Sequence, residues 1–68
     1  MELIQYLKAN YVDVRVIGVI NPSVIVTLNN TSYTLYMANG QNKAKYVVCK
    51  GQERFYFDKL IEIKKFIK

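Results

Sequence analysis

The 68 residues contain no histidine, one cysteine, one proline and three glycines. Each scarcity excludes something. Without histidine, the usual general base and metal ligand is missing. A single cysteine closes no intramolecular disulfide, which suits a reducing cytoplasm and argues against a small secreted scaffold. Gly18, Gly40 and Gly51 stand far apart, so no glycine-rich phosphate loop exists. No apolar run approaches the roughly 20 residues of a spanning helix. The opening MELIQYLKAN lacks the basic start and long apolar core of a signal peptide. These absences predict a soluble cytoplasmic protein that is not an enzyme, binds no small-molecule substrate, metal or cofactor, and does not engage a membrane.

What is present is core material and positive charge. Hydrophobic residues make up 51% of the chain, enough for one domain spanning 1–68, near the lower size limit for folding without metals or disulfides. The net charge is +5, and its placement is uneven. Lys8 and Arg15 balance Glu2 and Asp13 in the first 42 residues, so the whole excess falls between Lys43 and Lys68. That asymmetry predicts an anionic partner, either nucleic acid or an acidic protein surface. A solubilising surface is the plainer explanation. Short chains rich in lysine and asparagine are also what compact viral and plasmid genomes often encode.

Turn residues punctuate the chain. Asn21-Pro22-Ser23, Asn29-Asn30-Thr31-Ser32, Asn39-Gly40 and Gly51-Gln52 separate apolar runs. They predict strands near 12–20, 24–29, 32–38, 43–49 and 53–57, preceded by a helix over Glu2–Ala9 with Asn10 as a left-handed stop. Asp58 is read as the cap of a second helix over Lys59–Ile67, whose stripe is Leu60, Ile63 and Ile67, although Ile61, Ile63 and Ile67 would also suit a strand. Gly18 falls within the first strand as a bulge. The expected fold is α+β: a curled five-stranded antiparallel meander with a short helix at each terminus, a small SH3- or OB-like barrel being one form of it.

Hairpin pairing can then be tried. Tight loops set Ile20 opposite Val24, Val26 opposite Leu35, Leu35 opposite Ala44, and Val48 opposite Phe55. One face then collects Val12, Val14, Val16 and Ile20, then Val24, Val26 and Leu28, then Tyr33, Leu35 and Met37, and finally Tyr46, Val48, Phe55 and Phe57. A slip of one residue in any hairpin would turn its apolar set to the wrong side.

The opposite face collects Tyr36, Tyr56, Lys43, Lys45 and Arg54. In this pairing Tyr36 neighbours Ile25 and Lys43, Thr34 neighbours Lys45, Val47 neighbours Tyr56, and Arg54 lies near Cys49. Exposed tyrosines among cations suit single-stranded nucleic acid, with rings stacking on bases and cations tracking phosphates. Ile17, Val19, Ile25 and Val47 share that face and make it partly apolar, which suits a protein partner better. The leading expectation is a small regulator or inhibitor docking on another protein, including self-association as a homodimer through a sheet face or edge strand. Tyr36, Tyr56 and Arg54 would anchor and Lys43 and Lys45 would steer. Nucleic acid binding through the same residues is the alternative. Cys49 beside Arg54 offers a minor thiol reading, a cation being able to favour the thiolate.

The segment ELIQYLKANYVDVRV resembles the opening of HicA-type toxins, small ribonucleases with a double-stranded-RNA-binding-like fold that begin with a helix running into a valine-rich strand. Those toxins depend on a histidine soon after this point. Here the chain reads IGVINPSV, so no family is assigned.

Overall fold

The computed structural model describes residues 2–38 and 44–68. The predicted Asn39-Gly40 turn and the candidate residue Lys43 lie outside the described residues. The chain runs as α1 (Glu2–Asn10), β1 (Asp13–Ile17), β2 (Ser23–Leu28), β3 (Thr31–Met37), β4 (Tyr46–Lys50), β5 (Glu53–Phe57) and α2 (Leu60–Phe66). The strands form one antiparallel sheet in the order β1-β2-β3-β4-β5. The sheet stays open, with β1 and β5 as its two ends, and does not close into a barrel.

Both helices cover the same face. Leu3 and Leu7 of α1 and Ile63 of α2, followed by Ile67, pack onto Val24, Val26, Tyr33, Leu35, Tyr46 and Val48. Burying an aliphatic side chain of this size removes about 1.5–3 kcal/mol of unfavourable hydration. Phe66 ties the layers together, its ring lying 4.6 Å from Phe55, 5.4 Å from Phe57 and 6.1 Å, edge-on, from Tyr33. The Tyr11 hydroxyl donates to the Ile67 carbonyl at 2.8 Å, which fastens the segment after α1 to the segment after α2. Among the described residues no helix is long and apolar enough to cross a membrane.

The helix ends differ from the expected caps. Asn10 belongs to α1 and is not left-handed; its Nδ2 donates to the Tyr6 carbonyl at 2.8 Å. At α2 the N-cap position falls on Lys59, not Asp58. The capping acceptor comes from inside the helix, where Glu62 Oε1 accepts the Lys59 N–H at 3.1 Å and the Asp58 N–H at 3.3 Å. A carboxylate three residues into a helix can satisfy these otherwise orphaned donors and complements the positive helix start.

Three of the four expected pairings are displaced along the strands. Val24 pairs with Val16, not Ile20. Val26 pairs with Tyr33, not Leu35. Leu35 pairs with Val48, not Ala44. Only the last hairpin, with Val48 opposite Phe55, stands as expected. Loop chemistry explains the differences. Gly18 takes φ 91 and Asn21 φ 53, so Gly18 ends β1 where a bulge was expected, and the connection spans residues 18–22. A Cβ at Gly18 would stand 3.8 Å from the nearest backbone atom, so dihedral preference, not space, favours glycine there. Asn29 and Asn30 take φ 52 and 63, the positive pair of a two-residue type I′ turn. Consequently Thr31 already belongs to β3.

Every displacement is by an even number of residues, so the faces are preserved. The strand ends are not. Val12, Val16, Ile20 and Met37 were expected in the core, yet all four are exposed, because they lie beyond the reach of the two helices.

Candidate docking face

The face that the helices leave bare carries the alternate residues of each strand. Cross-strand pairing builds two rows on it. One runs Arg15, Ile25, Thr34, Cys49, Arg54. In the next, Tyr36 of β3 and Tyr56 of β5 stand on either side of Val47 of β4. Val47 is only 2% exposed although no helix covers it, and two aromatic cross-strand neighbours account for this. Tyr36 is half-buried, while Tyr56 remains 49% exposed. The result is a solid apolar centre with one free phenol beside it.

The structure therefore brings Tyr36, Tyr56 and Arg54 together, with Arg54 one row from Tyr56 and directly opposite Cys49. Tyr36 neighbours Val47 in place of the expected Lys43, and Thr34 neighbours Cys49 in place of Lys45. Lys45 lies past the end of β4, where its carbonyl accepts the Ala38 N–H at 2.9 Å. There it lines a small polar groove of about 320 Å³ beside Glu2, Asp58 and Lys59. Val47 is the residue that pairing from sequence undervalued. Its β-branched side chain between tyrosines was the available signal, but the longer β3–β4 connection hid Tyr36 as its second neighbour.

Charge is divided between the layers. Lys64 and Lys65 are exposed on α2, on the far side of the sheet from the tyrosines. They rim an apolar groove of about 490 Å³ with Tyr11, Leu28, Ile61 and Lys68. Lys50 leans towards the core-side face, its Nζ 6.0 Å from the Tyr33 ring centre. On the bare face the described cations are the two arginines, and Arg15 stands 4.0 Å from Asp13.

Two tyrosines have hydroxyls that ionise reluctantly. Burial raises the pKa of Tyr11 above its ordinary value, with smaller contributions from Tyr6 and Tyr33. Burial also raises that of Tyr46, helped by Glu2. Both belong to the core side. Cys49 is a half-buried free thiol, and among the described residues no cluster of three or more His, Cys, Asp or Glu could hold a metal ion. No known family, curated protein or solved structure matches the chain.

Proposed function

We propose that the protein is a non-enzymatic binding module, a regulator or inhibitor that docks on another protein through the bare face of its sheet. The observation that carries this reading is the Tyr36–Val47–Tyr56 row with Arg54 beside it. A preordered apolar centre flanked by aromatics and an arginine has the make-up of an interface anchor. The fitting partner presents an apolar patch edged by carboxylates, to which Arg54 donates.

The same residues suit single-stranded nucleic acid less well. A stacking platform needs cations tracking the phosphates next to its rings, whereas Lys64 and Lys65 stand on the opposite layer.

The test titrates a purified partner, first trapped by photocrosslinking from position 56. Y56A and R54E, both at exposed positions, should each weaken binding by about tenfold or more. K64E/K65E should leave it unchanged. The opposite pattern would move the interface to the helical layer and end this reading. Low-salt anisotropy with DNA and RNA oligonucleotides provides the second arm. Salt-sensitive binding abolished by K45A/R54A would replace the protein partner with nucleic acid.

A further inference from the structure

The outer edge of β1 stands apart from the tyrosine row. One side of β1 pairs with β2, while its other side ends the sheet. Proteins commonly blunt such an edge with lysine, proline or a covering segment. Asp13–Ile17 contains neither lysine nor proline, and its two charged residues, Asp13 and Arg15, are of opposite sign, so they oppose an edge partner only in registers that set like charges together. Exposed apolar residues also gather there. Of the eight exposed large hydrophobics among the described residues, five are Val12, Val16, Ile17, Val19 and Ile20. Val12, Val19 and Ile20 are almost wholly in solvent.

We propose that two copies of this chain pair β1 to β1, antiparallel, about a twofold axis through Val14, so that one continuous sheet runs across both. The sequence of the strand selects this register. Antiparallel partners point to the same face, so a symmetric axis must pass through a residue. An axis through Asp13 or Arg15 sets like charges directly opposite, which is destabilising. An axis through Val16 sets Arg15 opposite Ile17 and Asp13 opposite Val19, so neither charge finds a partner.

Through Val14, Asp13 meets the second copy's Arg15 on one face, and Arg15 meets its Asp13. Val12, the residue just before β1, would stand near the second copy's Val16 on the other face, and the reverse. Both charges are matched, and two exposed valines on each copy gain apolar neighbours. The 4.0 Å contact between Asp13 and Arg15 within one strand is loose and exposed, and worth little as it stands. It leaves both side chains free to re-pair across the axis. Because that axis stands perpendicular to the sheet, the two tyrosine faces would lie side by side on the same surface. No residue of the Tyr36–Val47–Tyr56 row takes part, so this inference and the docking reading can fail separately.

Sedimentation velocity on the whole chain tests it, with a concentration-dependent dimer expected. R15D and D13R each set like charges opposite at both ends of the ladder and should give monomers. The swap D13R/R15D restores opposite charges and should restore the dimer. The altered side chains are exposed, so folding is preserved, and far-UV circular dichroism checks this. A wild-type monomer at high micromolar concentration overturns the proposal. A dimer that survives both single reversals overturns it too, since the interface then lies elsewhere. Single reversals that give monomers, with a swap that fails to rescue them, reject the Val14 register and with it the proposal.

Discussion

Tyr11 performs two tasks with one side chain. Its ring packs against the core cluster, and its hydroxyl donates to the carbonyl of Ile67. The bond spans 56 positions of the chain, so it joins parts that no local preference would bring together. Y11F should keep the ring and lose the bond, costing about 1 kcal/mol in urea denaturation. The same hydroxyl makes the fold sensitive to alkali. Tyr11 and Tyr46 have folded-state pKa values raised above 10.0, chiefly by burial. A raised value means that the folded state holds its protons after the unfolded chain has begun to release them. The stability is therefore fully present below pH 10 and is lost as pH rises through the folded-state values. The urea midpoint should fall with increasing pH above that point, and more gently in Y11F. A midpoint that stays flat as pH rises above 10 would contradict the burial argument.

At the scale of elements, turns and strands proved legible in different ways. Alternation along a strand reports which face a residue takes, because the side-chain period is two. It says nothing about position along the strand, which the loop sets. The pairing inferred for β1 with β2, β2 with β3 and β3 with β4 therefore missed by whole repeats while the faces came out right. Gly51-Gln52 was read correctly because glycine, at φ 62, marks the start of a two-residue turn. Asn29-Asn30 was harder, since four polar residues in a row offer several turns of different length. Only the φ values pick out the central pair. This pair carries the element-scale prediction. N30G should match or slightly exceed wild-type stability, whereas N30V, a β-branched residue forced left-handed, should cost about 1–2 kcal/mol. Thermal unfolding decides, and equal stabilities for the two variants would refute the turn assignment. The helices show a similar division. The Leu60, Ile63 and Ile67 stripe was visible as periodicity, but the cap depended on Glu62 folding back, which the attractive position of Asp58 concealed.

Among the described residues, the molecule is a sheet with one side covered by both helices and the other side left uncovered by them. The tyrosine face was legible because alternation alone defines it. Lys45 was misplaced because its position depended on the length of a connection. Phe66 measures how firmly the two layers hold. It is only partly buried, yet it contacts three aromatic rings from β3 and β5. F66A should cost about 3 kcal/mol, a large share of what a domain of this size possesses, with a broadened unfolding transition. A loss below about 0.5 kcal/mol, within the range of an ordinary surface substitution, would mean that α2 adds little to the core. The layering also bears on the order of events during synthesis. Neighbouring hairpins can pair as soon as each leaves the ribosome, because every strand contacts the one just before it. Their apolar side cannot close until α2 has been made, since Ile63, Phe66 and Ile67 provide half of the cover. Until then the nascent chain displays Val48, Phe55 and Phe57 beside a free strand edge, the combination that chaperones bind and that aggregates recruit. The cover over the sheet is then complete only once α2 has left the ribosome.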